Sequence, residues 1–411
     1  MATTTNIDNT GPVKLKERFI ILDALRGLAL LGICLANFPE FSLYTFLKSE
    51  VTNEMSTAGI DRVVRYLQYI FIDGKFYTLF SLLFGIGFSI IIANATQRGN
   101  NGFRIFHRRM GILLLIGFLH LIFLWSGDIL MLYALLGLLL PLFRNLSNRR
   151  ILITAVAFLL LPIGVDTVIT ISGIQPSAGV VRIQQQLCAE YGITNDNFGF
   201  WLRDAHSYKE VFQFLIQGAF VRIQEFIDGN RAFKVMGLFL LGFYIGRNRL
   251  YANLSENKWL LKQTFVYGMV IGLPLSLPYA WSSLEGHLWG LEVHSILYTV
   301  SVFPLGLAYA AAFCLWYLHH KESRVFKILA ASGQMALSNY IGQSLWGIFI
   351  FYGIGLGMGS DIGLTYVLLV ATGVYVIEII FSFLWLHYCQ FGPLEWIWRM
   401  LTYGKWLKLL K

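Results

Sequence analysis

Apolar residues along this chain fall in ten blocks, at about 19–38, 74–95, 109–126, 128–145, 151–172, 233–248, 260–281, 293–318, 327–352 and 363–388. Each approaches the roughly 20 mostly apolar residues that a helix needs to cross a bilayer. The third and fourth blocks would be far too long as one helix, so the polar turn Ser126-Gly127-Asp128 must separate them. The pattern predicts an all-α, polytopic integral membrane bundle of about ten transmembrane helices. Two polar intervals are long, 39–73 and 173–232. The first holds the amphipathic run Val63-Val64-Arg65-Tyr66-Leu67-Gln68-Tyr69-Ile70, and the second sets Phe198, Phe200 and Trp201 among charges. Connections of this size tend to fold over something. Short helices covering one face of the bundle are expected there, either as a lid on a ligand or as a solvated cap. Beyond the last block, Pro393 to Lys411 alternates Trp396, Trp398, Leu401 and Trp406 with Arg399, Lys405 and Lys408, which reads as an interfacial helix.

Composition agrees with a lipid-solvated chain. The 411 residues are 56% hydrophobic and only 13% charged, against about 25% charged in soluble domains. The net charge of +9 could suggest nucleic acid, but its placement gives a better account. With the N-terminus inside, the inner segments hold 21 of the 32 Lys and Arg residues and the longer outer segments hold ten, with Arg26 inside the first span. This is the bias expected of cytoplasmic loops. It predicts both termini in the cytoplasm: a cytoplasmic segment 1–18, a bundle over 19–388 with extracytoplasmic loops 39–73 and 173–232, and a cytoplasmic interfacial helix in 389–411. The partner is the lipid bilayer, with no nucleic acid. Met1 to Lys16 is polar, and no A-x-A-like cleavage site follows the apolar run that starts at Phe19, so that run is expected to stay as the first span. Cys34, Cys188, Cys314 and Cys389 show no C-x-x-C spacing, so neither a disulfide framework nor a zinc site is expected.

Polar residues within the blocks need partners or a function, because a charge at the bilayer centre costs about 2.5–3.5 kcal/mol on insertion scales. Asp23 and Arg26 share a helix face at i, i+3 and either form a structural ion pair or line an inner vestibule for an anion. Asn37 ends the same span, roughly 21 Å from Asp23 at 1.5 Å per residue. His120 lies near the outer end of the third span. Asp128, eight residues on, could hold its imidazole in one tautomer and raise its basicity. Lys75 opens the second span and either snorkels or acts. Asn339 and Gln343 share a face of the ninth span, lining either an interhelical seam or a wet cavity. Glu378 in the tenth span must find a partner. Glu285-x-His287 with Glu292-x-His294 has non-standard spacing for a metal, and no metal is expected.

Several of these residues sit in motifs that resemble one family. Leu22-Asp23-Ala24-Leu25-Arg26-Gly27 with Asn37, Lys75-Phe76 with Leu79-Phe80-Ser81-Leu82-Leu83-Phe84-Gly85, and His120 with Trp125-Ser126-Gly127-Asp128-Ile129-Leu130 resemble the YeiB-like bacterial membrane proteins. So do Gly333-Gln334-Met335-Ala336-Leu337-Ser338-Asn339-Tyr340 with Gln343-Ser344, and Gly392-Pro393-Leu394-Glu395-Trp396. That family is named as a domain of unknown function. Its opening motif is similar to that of transmembrane acyltransferases, among them lysosomal heparan glucosaminide acetyltransferase and bacterial polysaccharide O-acetylases. The resemblance implies a multi-pass protein of the bacterial inner membrane. It implies transfer of an acyl group, acetyl by analogy, from cytoplasmic acyl-CoA to an extracytoplasmic acceptor such as a glycan. The CoA phosphates would meet Arg104, Arg108 and Arg109 beside Arg26 and Asp23, and the pantetheine arm would pass Asn339 and Gln343. His120, oriented by Asp128, would be the general base, with Asn37 or Lys75 polarising the acyl carbonyl.

A secondary transporter is the competing class, since ten spans split into two halves of five, as an inverted repeat requires. A non-catalytic scaffold or sensor is a third, and a homodimer is left open. The charge distribution makes one direct prediction: single cysteines placed beside Arg108 and Arg109 will react with an impermeant thiol reagent only from the cytoplasmic side. Labelling from the periplasm would invert the map.

Overall fold

The computed structural model describes residues 19–97 and 101–411. The segment 1–18 and Arg98, both counted above among the basic flanks, lie outside the described residues. Among those described there is no strand, and 18 α-helices follow one another. The first half runs α1 (Ile20–Phe41), α2 (Ser49–Glu54), α3 (Ala58–Phe71), α4 (Lys75–Gln97), α5 (Gly102–Phe123), α6 (Leu130–Leu139) with a 3-10 turn Leu140–Phe143, α7 (Asn148–Ser172), α8 (Ala178–Tyr191) and α9 (Trp201–Asp204). The second runs α10 (Tyr208–Asp228), α11 (Arg231–Arg247), α12 (Lys258–Tyr267), α13 (Leu273–Leu284), α14 (Leu291–His319), α15 (Arg324–Gln334), α16 (Ala336–Phe351), α17 (Leu364–Tyr388) and α18 (Pro393–Tyr403). Among the described residues, seven helical stretches are long and apolar enough to cross a membrane, which makes this a multi-pass helical membrane protein.

Each of the ten apolar blocks is helical, but three are not simple spans. The fourth is short, Leu130–Phe143, and the sixth, α11, has 17 residues. The ninth is broken at Met335 into α15 and α16. The break is stabilised from a distance. Glu395 of α18 accepts the backbone N–H groups of Leu337 (2.7 Å) and Ser338 (3.1 Å) and the Ser338 hydroxyl (2.5 Å), capping the exposed start of α16. Burial nevertheless pushes the Glu395 carboxyl above its ordinary range, against these donors. Asp61 of α3 does the same for α17, accepting the N–H (2.8 Å) and hydroxyl (2.6 Å) of Thr365. The third block also starts earlier than its apolar content predicts. Asn101 caps α5 by accepting from the N–H groups of Phe103 and Arg104, so the basic turn Arg104–Arg109 is already helical.

Both long polar intervals form helices over one end of the bundle, as expected. Gln68 of α3 donates to the Leu35 carbonyl at 3.0 Å, and α10 begins with a Ser207/Glu210 capping box. That end, reached by the C-terminus of α1, is called distal below, and the end where α1 begins is called proximal. Glycines set the closest crossings. A Cβ on Gly27 would stand 2.1 Å from the Leu329 carbonyl oxygen, and one on Gly333 would stand 1.9 Å from that of Asp23, so α1 and α15 touch backbone to backbone. Gly85 and Gly242 let α4 and α11 meet in the same way. Large apolar side chains, among them Leu115, Phe118, Ile153, Leu369 and Ile380, remain exposed on the flanks, where lipid covers them.

Gly333→Val is therefore expected to cost roughly 3 kcal/mol or more through overpacking. It should lower the melting temperature and the monodisperse fraction in size-exclusion chromatography. Gly373→Ala, where nothing lies within 4 Å, should leave both unchanged, and equal behaviour of the two variants would refute the crossing.

Candidate functional site

A cavity of about 1240 Å³ is lined by residues from both the proximal and the distal end of the bundle. At the proximal end Asp23 and Arg26 form the predicted ion pair, with N–O 2.5 Å, and both line the cavity. Arg109 lines it too. Its guanidinium lies 3.8 Å over the Trp398 ring, and the indole N–H of Trp398 donates to its carbonyl at 3.0 Å, so α18 holds this arginine in place. Arg104 and Arg108 do not reach the wall. Arg108 packs against Gly404 at the end of α18. The middle of the cavity is apolar, walled by Phe76, Phe80, Leu83, Phe84, Leu113 and Leu130.

The distal end is a polar chamber. Asn37 and Glu40 from α1 reach it. Arg222 of α10 pairs with Glu225 (2.5 Å) and Glu40 (3.4 Å) and donates to the Ser126 carbonyl (3.1 Å). Tyr279 donates to Asp73 at 2.5 Å. Asp166 accepts from Asn230 (2.7 Å) and from Ser295. His294 holds Ser282 through Nδ1 (3.1 Å), with the His287 ring 4.0 Å away. Burial depresses the His287 imidazole below its ordinary pKa, which favours a neutral ring.

His120 and Asp128 do meet. Nδ1 of His120 lies 2.8 Å from one Asp128 oxygen, whose other oxygen accepts the Met131 N–H at 2.8 Å. On the far side of the ring, Nε2 lies 2.8 Å from the Ser344 hydroxyl. With the carboxylate accepting a hydrogen bond from Nδ1–H, Nε2 is left to accept from Ser344, a Ser–His–Asp arrangement. The hairpin that brings it together depends on Gly117, where a Cβ would come within 2.5 Å of the Met131 nitrogen. Sequence reasoning found the His–Asp pair from its local spacing. It gave Ser344 no role, because that residue is 224 positions away.

The assumed access is corrected, however. His120, Asp128 and Ser344 are 1%, 0% and 0% exposed. Gly127, Ile129 and Tyr340 stand in the cavity wall in their place, with the Tyr340 ring 5.3 Å from that of His120. Lys75 is likewise fully buried. It donates to the Tyr69 carbonyl at 2.6 Å and lies 5.0 Å over the Tyr279 ring, behind the wall. Asn339 and Gln343 line no path. Asn339 donates to Ser332 and Ser382, and Gln343 donates to Glu378 at 3.0 Å, which makes the α16–α17 face an interhelical seam and supplies the partner Glu378 needs. Both residues lie where helix packs on helix, and periodicity alone does not separate that from a wet face. Among the described residues no group of three His, Cys, Asp or Glu side chains is placed to hold a metal.

A family profile described as "Protein of unknown function (DUF418)" matches residues 245–405. The chain is 32% identical to an "Uncharacterized 39.9 kDa protein in amylase 3'region" of Bacillus acidopullulyticus over 97% of this chain and 98% of that one. It is 27% identical to the "Uncharacterized protein YeiB" of Escherichia coli K12, over 94% and 96%. The chain belongs to the YeiB-like family. The "Uncharacterized protein YxaH" of Bacillus subtilis is a further relative, at 29% identity over 97% of this chain and 98% of that one. No solved structure matches. In this YeiB-like protein the motif residues fall into two sets. Asp23, Arg26 and Asn37 line the cavity, whereas Lys75, His120, Asp128, Asn339 and Gln343 stand behind it.

Breaking the buried His120–Asp128 contact should be costly. Asp128→Ala is expected to lose about 3–5 kcal/mol of stability, and Ser344→Ala about 1–3 kcal/mol, both read as a lower melting temperature. Wild-type melting of Asp128→Ala would mean that the pair contributes nothing.

Proposed function

We propose that this YeiB-like protein is a transmembrane acyltransferase that takes an acyl group, acetyl by analogy, from acyl-CoA on the cytoplasmic side and delivers it to an acceptor in the distal, extracytoplasmic chamber. The observation that carries the reading is the continuous cavity, charged at both ends and apolar between them. At about 1240 Å³ it exceeds the usual 300–1,000 Å³ of a small-molecule pocket, which leaves room for a cofactor arm and an acceptor together. In this reading ten segments cross the inner membrane with both termini in the cytoplasm, and the proximal mouth is cytoplasmic. Arg26 and Arg109 receive the CoA phosphates there, Arg26 held by Asp23.

The thioester then lies in the apolar middle, with its carbonyl toward the distal chamber. An acceptor hydroxyl or amine attacks that carbonyl carbon and the C–S bond breaks. CoA leaves as the thiol, taking the equivalent of the proton that the acceptor gives up. Asn37 stands in the wall where its amide N–H can polarise the carbonyl. His294, also in the wall, is the base that the chamber itself presents, since a substrate reaches His120 only if Tyr340 moves.

A transporter is the second reading, and two irregular helices favour it: the break at Met335 and the π-turn Gly268–Gly272 between α12 and α13. Transporters build their sites on such interruptions. One experiment separates the two. Micromolar acetyl-CoA should raise the melting temperature of the purified protein through preferential binding to the native state, and Arg26→Gln should abolish the shift. Radiolabelled acetyl should then appear on an acceptor. A protein that ignores acetyl-CoA at every concentration would remove the acyltransferase reading.

A further inference from the structure

Each carboxylate and cation of the distal chamber has a hydrogen-bond or ion-pair partner among the described residues, with one exception. Glu40 and Glu225 share Arg222, and Arg231 stands 3.7 Å from Glu225. Asp73 is held by Tyr279, Asp166 by Asn230 and Ser295, and Asp228 by the Ser177 hydroxyl at 2.9 Å. Lys234 is different. It lines the cavity and is only 8% exposed. Its ammonium rests 3.9 Å over the Tyr298 ring, and among the described residues it has neither a hydrogen bond nor an ion pair. A nearly buried ammonium with three unused donors is an expensive arrangement.

Its position adds to the cost. Arg231 and Lys234 both lie in the first turn of α11. That is the positive end of the helix dipole, where an anion is stabilised and a cation is not. Two side-chain cations and a helix N-terminus thus converge on one side of the chamber. Carboxylates outnumber cations around the rest of the wall, which argues against a polyanion. Those carboxylates retain free lone pairs for hydroxyl donors, and the Tyr69, Tyr279 and Tyr298 rings offer apolar faces.

We infer that the distal chamber binds a hydroxyl-bearing group carrying one oxyanion, a carboxylate or a phosphate monoester, with Lys234 receiving the charge and Arg231 assisting. Calling that ligand the acceptor rests on the acyltransferase reading, but the binding site itself does not.

The test uses the purified full chain in detergent and follows binding by thermal shift and tryptophan fluorescence. The probes are glucuronate and glycerol 3-phosphate, which carry an oxyanion with hydroxyls. Glucose and glycerol carry hydroxyls alone, and acetate and inorganic phosphate carry the oxyanion alone. Glucuronate or glycerol 3-phosphate should bind more tightly than its fragments, and the preferred one identifies the oxyanion. Lys234→Gln should weaken that binding about tenfold or more and leave glucose unaffected. Absence of binding by both combined probes, wild-type affinity in Lys234→Gln, or an equal loss for glucose would each overturn the inference. Should Lys234→Gln fail to fold, Arg231→Gln replaces it, since the Arg231 side chain is 37% exposed. Undiminished affinity in that variant would count equally against the site. Acetyl-CoA is titrated in parallel: no response to it, alongside a Lys234-dependent response to glucuronate, would defeat the acyltransferase reading and leave this one standing.

Discussion

A hydrocarbon solvent offers no hydrogen bonds, so a polar group inside this bundle is satisfied only by a partner within the protein or by the water of a cavity. That constraint explains features that would be optional in water. Where the ninth apolar block breaks at Met335, the new helix start is capped by Glu395, 58 residues from Leu337. Asp61 caps α17 across 304 positions to Thr365. Gln343 turns to Glu378 on the next helix. In each case the alternative is an unpaired group in a medium that cannot solvate it.

The same solvent removes the usual drive for helices to associate, leaving close packing to hold them together. Gly27 against Leu329, and Gly85 and Gly242 between α4 and α11, bring backbones into contact. Away from these crossings, aromatic side chains such as Phe76, Phe80 and Phe84 line the cavity. Its apolar middle and charged ends follow from depth: ionised groups are cheapest near the two interfaces, and Asp23, Arg26 and Arg109 at one end and Glu40, Arg222 and Lys234 at the other are sorted accordingly.

Two polar systems lie side by side at the distal end. One is the open chamber; the other is the closed Ser344–His120–Asp128 chain behind Tyr340. Arg222 connects them, since it pairs with the chamber's Glu40 and Glu225 and also donates to Ser126 in the turn that carries Asp128.

The amino-acid order alone determined the lipid solvent, the helical class and the positions of the apolar segments, because hydrophobic length is a property of the local chain. It also paired Asp23 with Arg26 and His120 with Asp128, contacts closed within three and eight residues. The remaining relations needed the tertiary structure. Ser344 joins His120 across 224 positions, and Glu395 caps a break that hydropathy does not register. Whether Asn339 faced a seam or a cavity, and whether Lys75 or Lys234 faced the open space, depended on which helix stands opposite. No periodicity carries that information, because a polar stripe looks the same whether a neighbouring helix or water satisfies it.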